Sequence, residues 1–345
     1  MTALVLSSQI PSGVIDDFDL VTVDGRLLLC AGDGSGGYTW EPSEDRWTEY
    51  RLDLPYRPAD FRAMVGHLPA EDDHGYRLYS VCAAVVDGRI VVGGGNYEEP
   101  FAQWDLASGA VRAHARPDDG GTGKTTTVRL NGRPFFISCG AYTYLWDVER
   151  TDTEPVQLPG DRDTVAGIAA GTLNGRPVVV FGDCGDDRVV VWDVDTRSVF
   201  REFPCPVPVA DVGLAMLDGR TRVVAAGGNR VILGDPDTGA WEWEGPIDEE
   251  SIEFDEKDEE EEETENSISC MDVGVVGGRP VAVTGSEDGR VCVWSLEERR
   301  LIQGPFTPGH EGEVNAVRIA DLDGHTVAVT AGQDDRVLVW DLERN

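Results

Sequence analysis

The sequence predicts an all-β fold made of seven repeats, each forming one small antiparallel sheet. Three features of the 345 residues support this prediction. A two-residue turn followed by a basic residue occurs seven times, most of these turns are followed by a strand ending in tryptophan and an acid, and two longer intervals hold inserts. The glycine-to-glycine spacings of the turns are 63, 44, 43, 44, 59 and 46 residues, so four intervals share one period.

The turns contain Asp-Gly, Asn-Gly or Gly-Gly. These dipeptides favour the type I′ hairpin turn, because both of its central residues need a positive φ. The seven turns are Asp24-Gly25-Arg26, Asp87-Gly88-Arg89, Asn131-Gly132-Arg133, Asn174-Gly175-Arg176, Asp218-Gly219-Arg220, Gly277-Gly278-Arg279 and Asp323-Gly324-His325. Each turn should join two short antiparallel strands, and a period in the forties predicts a circular or stacked array.

The last repeat shows the unit most clearly. Its predicted strands cover residues 314–319, 326–330 and 337–341, and the third ends in Trp340-Asp341. Related endings occur at Trp104-Asp105, Trp146-Asp147, Trp192-Asp193 and Trp294-Ser295. A weaker copy of the ending is Trp40-Glu41. A fourth strand follows each ending, for example at residues 47–52 after Trp40-Glu41. Four strands per repeat form a propeller blade, so the predicted fold is a seven-bladed β-propeller of four-stranded antiparallel blades.

The ending Val337-Leu338-Val339-Trp340-Asp341 and the upstream pair Gly309-His310 resemble the WD-repeat β-propellers, and the resemblance extends along the whole chain. It implies a structural hydrogen-bonded tetrad in the last repeat, formed by His310, Thr330, Asp334 and Trp340. The repeat ending at Trp294 keeps Thr284 and Asp288 but lacks the histidine. The repeat ending at Trp192 keeps Asp186 but has Gly182 in place of the hydroxyl residue. The other repeats depart further, so weaker loop attachment is expected there.

The chain should form a single domain over residues 1–345, a ring closed by its N-terminal strand. The last repeat lacks an outer strand, and residues 2–7 have the right length to supply it. Such closure would remove open sheet edges that could otherwise promote aggregation.

The composition restricts the partners of the protein. Its 64 acidic and 29 basic residues give a net charge of −35, which disfavours binding to the phosphate backbone of nucleic acid and favours basic protein partners. We find no apolar run of membrane-spanning length and no secretion signal. The seven cysteines form no C-x-x-C pair, which suits reduced thiols in the cytoplasm. A monomeric propeller within a larger complex is expected.

Both inserts are expected on the same face of the propeller. The first, residues 55–77, is rich in aromatic and basic residues, and we predict that Tyr56, Arg57, Phe61 and Arg62 anchor a partner. The alternative is a loop packed against a blade edge. The second insert, residues 248–265, contains thirteen acids and is expected to be a disordered, solvated tether; the alternative is an arm that captures a basic protein.

No catalytic constellation is evident. The stretch 120–125 (GGTGKT) lacks the first glycine of a phosphate loop and leads into β-branched residues, which indicates a loop entering a strand. His67, His74 and His114 have no metal-ligand spacing, and no metal or cofactor is predicted.

One column of charged residues offers an alternative site. When the inner strands are aligned on their turn glycines, Asp19, Asp272 and Arg318 share one position, whereas the third repeat appears shorter and does not align. We predict an ion network between blades, with a ligand site lining the channel as the alternative. An arginine beside two carboxylates should lower their pKa values and disfavour acid–base catalysis.

These features favour a non-catalytic protein–protein interaction scaffold or adaptor that uses one loop face of the propeller. Two alternatives remain open. One is an acidic inhibitory or immunity-type protein that binds a basic partner, and the other is a propeller enzyme or small-molecule sensor with a site at the channel mouth.

Overall fold

The computed structural model describes residues 3–32, 36–56, 78–97, 99–116, 119–158, 164–246 and 267–344. Across these ranges the chain folds into seven four-stranded antiparallel sheets built from twenty-eight strands. The predicted number of sheets and strands per sheet is therefore confirmed. The chain divides into two compact units, one containing residues 10–165 and the other residues 1–9 with 166–345.

The unit of residues 10–165 holds the first three sheets. β1 (Leu4–Gln9) precedes it and belongs to sheet 7. Sheet 1 contains β2 (Phe18–Val23), β3 (Arg26–Gly32), β4 (Gly37–Glu41) and β5 (Arg46–Tyr50), with a 3₁₀ turn at Pro42–Glu44. Sheet 2 contains β6 (Ser80–Val86), β7 (Arg89–Gly95), β8 (Ala102–Asp105) and β9 (Val111–His114). Sheet 3 contains β10 (Thr122–Leu130), β11 (Arg133–Gly140), β12 (Thr143–Asp147) and β13 (Val156–Leu158).

The other unit holds sheets 4 to 7. Sheet 4 contains β14 (Val165–Leu173), β15 (Arg176–Asp183), β16 (Arg188–Asp193) and β17 (Ser198–Pro204). Sheet 5 contains β18 (Asp211–Leu217), β19 (Arg220–Gly227), β20 (Arg230–Asp235) and β21 (Ala240–Pro246). Sheet 6 contains β22 (Ile268–Val276), β23 (Arg279–Ser286), β24 (Val291–Ser295) and β25 (Arg300–Gln303). Sheet 7 contains β26 (Val314–Leu322), β27 (His325–Gly332) and β28 (Arg336–Asp341) together with β1.

All seven predicted turns join the first and second strands of a sheet. In each, the first turn residue has φ between 49° and 56° and the glycine that follows has φ between 73° and 82°. A Cβ atom added at any of these second glycines would meet nothing within 4 Å. Backbone conformation rather than crowding therefore requires glycine at these positions.

The basic residue after the turn pairs with the acid that ends the third strand. Arg133 lies 2.6 Å from Asp147 and Arg26 lies 3.1 Å from Glu41, and sheets 2, 4 and 7 use the equivalent Arg89, Arg176 and His325. In sheet 5 the partner of Asp235 is Arg222, two residues beyond the equivalent position. In sheet 6, where Ser295 replaces the acid, Arg279 pairs with Glu298 instead. The two recurrent sequence motifs are thus the two halves of one ion pair. The side chains of Arg26, Arg89 and Arg176 are more than half exposed, so water screens these pairs and weakens them.

The hydrophobic core lies between consecutive sheets within each unit. One cluster combines Val281 and Val293 of sheet 6 with Val317, Ala328 and Leu338 of sheet 7, and similar clusters join sheets 1 and 2, 2 and 3, 4 and 5, and 5 and 6. The largest fully buried side chains are those of Trp40, Trp104, Trp192, Trp294 and Trp340. The tryptophans of the strand endings are therefore core residues.

The N-terminal strand completes sheet 7. β1 pairs antiparallel with β28, from Leu4 opposite Trp340 to Gln9 opposite Arg336, and Asp341 donates its N–H to the carbonyl oxygen of Ala3. The strand covers residues 4–9 rather than the predicted 2–7. The N-terminus thus fills the outer position that the last repeat leaves open.

The third repeat differs from its prediction. Its inner strand β10 is not shorter than the others but spans nine residues, Thr122–Leu130, with an irregular register between Thr122 and Lys124. The stretch 120–125 enters this strand as expected.

Six of the seven cysteines are buried, Cys184 is exposed, and none is paired in a disulfide. Burial raises the pKa of the Cys205 thiol to about 11, which disfavours the reactive thiolate. No helix in the portion of the chain covered by the structure has the length and hydrophobicity of a membrane span.

Candidate functional site

The structure connects His310, Thr330, Asp334 and Trp340 by a chain of hydrogen bonds. His310 Nδ1 lies 2.8 Å from Asp334 Oδ1, His310 Nε2 lies 2.8 Å from Thr330 Oγ1, and Trp340 donates its Nε1–H to Thr330 Oγ1 over 3.0 Å. Since a carboxylate only accepts, the Nδ1–H of His310 donates to Asp334, and Nε2 accepts the hydroxyl proton of Thr330. The loop carrying His310 is thereby attached to the turn and core of sheet 7.

The protonation states suit this arrangement. Burial lowers the pKa of His310, and this outweighs the opposing effect of Asp334. The pKa of Asp334 is also lowered: burial acts to raise it, but hydrogen bonds from His310 and from the Glu311 N–H outweigh that effect. A neutral imidazole and an ionised carboxylate follow, as the hydrogen bonds require.

The stability that this tetrad contributes should depend on pH. A histidine whose pKa is lower in the folded state than in the unfolded chain contributes its full stabilisation when the pH is above the unfolded pKa of about 6.5. This stabilisation is lost as the pH falls. We expect the difference in unfolding free energy between wild type and His310→Gln to shrink by about 1–2 kcal/mol from pH 8 to pH 5. Urea denaturation at both pH values tests this, and a difference independent of pH would contradict it.

Sheet 6 contains two separate pieces of the same network. Trp294 donates its Nε1–H to Thr284 Oγ1 over 3.1 Å, and Ser286 Oγ donates to Asp288 Oδ1 over 2.6 Å. Ser286 occupies the position of Gly332 in sheet 7, where an added Cβ would lie 2.5 Å from His310 Nδ1. Ser286, at the end of β23 in sheet 6, therefore binds Asp288. In sheet 7 the equivalent aspartate, Asp334, is bound by His310.

Two other sheets depart further from the tetrad. In sheet 3, Trp146 donates its Nε1–H to Ser138 Oγ over 2.9 Å, a pair that the sequence comparison missed because the two residues are eight apart instead of ten. In sheet 4, Trp192 Nε1 has no hydrogen-bond partner among the residues that the structure covers. A Cβ at Gly182 would lie 2.5 Å from Val209 Cγ1, so packing leaves little room for the missing hydroxyl.

Carboxylates at the inner strands bridge neighbouring sheets. Asp272 accepts the N–H of Val273 on Oδ1 and that of Ile319, in the next sheet, on Oδ2. Asp211 likewise accepts the N–H of Val212 on Oδ1 and that of Met271, in the next sheet, on Oδ2. In the other unit, Asp19 accepts from Leu20 within sheet 1 and from Ala83 in sheet 2, and it also binds Thr127 Oγ1 of sheet 3.

This arrangement adds backbone bridges to the predicted charge column. The bridging hydrogen bonds of Asp19 and Asp272 go to backbone N–H groups, while Arg318 donates to the carbonyl oxygen of Val317 and acts on Asp272 through its charge. The expectation of a lowered pKa for Asp272 is wrong: burial raises it to about 6 despite Arg318. Because both of its oxygens are occupied by backbone groups, Asp272 acts as a structural bridge.

The predicted partner anchors fall in two groups. Tyr56 is buried, donates its hydroxyl to the carbonyl oxygen of Ala115 and lies edge-on to the His114 ring with centroids 4.9 Å apart. It therefore fastens the start of the first insert to sheet 2, which agrees with the packing alternative for this residue. Arg57, Phe61 and Arg62 lie outside the described residues, as does the acidic insert 248–265.

The remaining candidates for chemistry have structural surroundings. His114 Nδ1 contacts the carbonyl oxygen of Ala115, and His325 lies 3.8 Å from Asp341, whereas His67 and His74 are outside the described ranges. Among the residues with assigned positions, no group of three or more His, Cys, Asp or Glu side chains could hold a metal ion.

Among the residues whose exposure the structure gives, the most exposed large aromatic side chain lies between β7 and β8. Tyr97 is 74% exposed. Its turn is fastened by hydrogen bonds from Asn96 Nδ2 to Glu99 Oε2 and from the Glu99 N–H to Asn96 Oδ1, and Thr122 donates its N–H to the carbonyl oxygen of Asn96. Tyr97 is therefore an exposed aromatic ring next to a residue, Asn96, whose side chain and backbone are both hydrogen-bonded.

Two further tyrosines stand close to this turn. Tyr142, between β11 and β12, is 46% exposed, and its ring centroid lies 6.3 Å from that of Tyr144. Burial, together with a hydrogen bond to Asp119, raises the pKa of Tyr144 to about 12. We call Tyr97, Tyr142 and Tyr144, with Gly120, Gly121 and Gly123, the tyrosine surface.

The glycines form the floor of the tyrosine surface. A Cβ at Gly123 would lie 3.1 Å from Tyr97 Cε1, and one at Gly120 would lie 3.2 Å from Ala141 Cβ, next to Tyr142. The glycine segment therefore lies between the two exposed tyrosines. The sequence offers one signal for this site, which is an aromatic residue inside an otherwise polar turn, as in Asn96-Tyr97-Glu98-Glu99.

Comparison with known proteins agrees with this architecture. Residues 262–295 and 303–341 match the family model of the WD domain, G-beta repeat. Among solved structures, the chain is similar to the WD40 beta propeller domain of Doa1, with a TM-score of 0.64 and 16% identity over 99% of this chain and 97% of that chain. No curated protein matches the chain.

The fold class is thus the seven-bladed β-propeller, as predicted. The two segments that match the WD-repeat model end one residue after Trp294 and Trp340, the tryptophans of sheets 6 and 7. WD40 propellers generally serve as scaffolds for protein interaction and are typically non-catalytic.

Proposed function

We propose that this protein is a non-catalytic interaction scaffold or adaptor that binds a protein partner through the tyrosine surface. The observation that supports this most directly is the 74% exposure of Tyr97 on a turn whose backbone is already fixed by hydrogen bonds. Tyrosine is enriched among residues that dominate binding energy at protein interfaces. A side chain carried on a packed sheet loses less conformational freedom on binding than one on a flexible loop.

The basic nature of the partner is part of the proposal. A net charge of −35 attracts cationic proteins over long range, and it also supports the inhibitory or immunity-type alternative. The two can be distinguished by salt: binding that depends mainly on charge should weaken steeply between 50 and about 300 mM salt, whereas binding through aromatic anchors should change less.

The other elements of the proposal rest on sequence. Arg57, Phe61 and Arg62 stay predicted contacts of the same partner. A monomeric propeller in the cytoplasm suits the unpaired cysteines. The enzyme or sensor alternative has less support, since the inner-strand carboxylates Asp19, Asp211 and Asp272 bind backbone groups.

A photo-crosslinking amino acid at position 97 tests the docking surface. Introduced in the native host, it should capture a partner that the same group at position 216 does not, because Met216 is a comparably exposed apolar residue in sheet 5. With the captured partner purified, Tyr97→Ala/Tyr142→Ala should weaken Kd by about 30-fold, which corresponds to the ~2 kcal/mol of a binding hot spot.

Met216→Ala/Val275→Ala is the matched control, since both of these side chains are 59% exposed. It should change Kd less than about threefold, as expected for residues outside an interface hot spot. Equal affinities for the two double variants would contradict the proposal.

A further inference from the structure

We propose that the tyrosine surface binds arginine side chains of the partner, in preference to lysine. This inference rests on the proposed function and specifies the chemistry of that same site. It is carried by the exposed tyrosine rings, the glycine floor between them and the charge of the chain.

The rings provide the attraction for a cation. An aromatic face has a negative quadrupole, and a cation within about 6 Å of the ring centroid is attracted to it. Tyr97 and Tyr142 expose 74% and 46% of their surface. Hydrogen bonds between Asn96 and Glu99 fasten the backbone on either side of Tyr97, which lowers the entropy cost of stacking a guanidinium on its ring.

The glycine segment between the tyrosines favours a planar ligand group with several N–H donors. Gly121 packs so closely on the carbonyl oxygen of Tyr97 that a Cβ could not be accommodated, and a Cβ on Gly140 would collide with the carbonyl oxygen of Gly121. Backbone rather than side chains therefore forms this part of the surface. The planar guanidinium has five N–H donors in a rigid fork and stacks on aromatic rings, whereas the ammonium of lysine is a compact, strongly hydrated point charge.

The electrostatics agree with a cationic ligand. Asp119 borders the surface and accepts the N–H of Arg116, whose own charge also acts on Tyr144. The charges of Asp119 and Arg116 offset one another, and the net charge of −35 on the whole chain supplies the long-range attraction. An anionic ligand would have to approach against that charge.

Fluorine NMR of the full chain labelled with 3-fluorotyrosine tests the inference. The eight tyrosines give separate probes, and Tyr97→Phe and Tyr142→Phe assign two of them. The ligand is a synthetic peptide of alternating glycine and arginine, compared with the same peptide containing lysine or citrulline. Citrulline keeps the shape of arginine and removes its charge.

We expect the arginine peptide to shift the signals of Tyr97 and Tyr142 saturably, the lysine peptide to bind at least about tenfold more weakly, and the citrulline peptide to leave both signals unchanged. Equal effects of arginine and citrulline, equal effects of arginine and lysine, or a uniform shift of all the tyrosines would overturn the inference. In Tyr97→Ala/Tyr142→Ala, the Tyr144 signal should no longer respond.

The failure of this inference differs from that of the proposed function. If the crosslinker at position 97 captures a partner but the arginine peptide shifts neither tyrosine, the docking surface stands and its arginine specificity is wrong. If the crosslinker captures nothing and the peptide also fails, both are wrong.

Discussion

Replacing Thr330 with valine is expected to lower the free energy of unfolding by about 3 kcal/mol. Valine has nearly the shape of threonine, so the variant removes the hydroxyl and little else. That hydroxyl is fully buried and serves both His310 Nε2 and Trp340 Nε1, which are buried as well. Without it, one acceptor and one donor lose their partners in the core, each at a cost of about 1–3 kcal/mol.

Thr284→Val in sheet 6 is the matched control for this prediction. Thr284 is also buried and receives the Nε1–H of Trp294, but no histidine is attached there. We therefore expect a loss of about 1–2 kcal/mol. Guanidinium denaturation of both variants measures the difference, and an equal loss in the two would show that His310 contributes nothing through Thr330.

Deleting β1 should have the largest effect of any change considered. Five residues of this strand pair with β28, and at about 1 kcal/mol for each hydrogen-bonded partner the loss is on the order of 5 kcal/mol. The deletion also turns β28, which now pairs with β1 on one side and β27 on the other, into an open edge that can pair with other chains. The deleted protein should therefore unfold at a lower guanidinium concentration and aggregate more readily.

Two point variants of the full chain test the same pairing without truncation. Leu4 packs against the core cluster of sheets 6 and 7, whereas Val5 is 39% exposed. Leu4→Asp should destabilise the protein by about 2–3 kcal/mol through the loss of apolar burial, and Val5→Asp should have little effect. A peptide of residues 1–9 added to the deleted protein should restore stability by mass action. Equal stabilities of Leu4→Asp and Val5→Asp, or no effect of the peptide, would contradict the assigned role of β1.

The tyrosine surface illustrates why the site was harder to predict than the fold. Tyr97 and Tyr142 occur in separate repeats, and nothing in their local sequence says that both rings reach solvent beside the same glycine segment. The aromatic residue Tyr56 was the more obvious candidate anchor, yet its ring is buried against His114. Side-chain exposure depends on how loops pack, and local composition does not report it.

The hydrogen-bond partners of the inner-strand aspartates could not be predicted from local sequence either. Their shared column was visible in the sequence, but the partner of Asp272 is a backbone N–H 47 residues away in the next sheet. Backbone groups leave no trace in residue type, so the sequence indicated the charges of this column and not the bridge that Asp272 forms between strands. The orphaned Nε1–H of Trp192 likewise follows from tight packing around Gly182.

By itself, the sequence determined the number of repeats, the seven hairpin turns and the four strands of each sheet. Positive φ at the turns and runs of buried apolar residues along the second and third strands are local requirements, and local requirements are written in neighbouring residues. Only the tertiary structure decided which carboxylates bridge sheets, which hydroxyl serves two partners and which tyrosines face solvent. Those properties depend on atoms brought together from residues tens of positions apart, because hydrogen bonding and burial act through space.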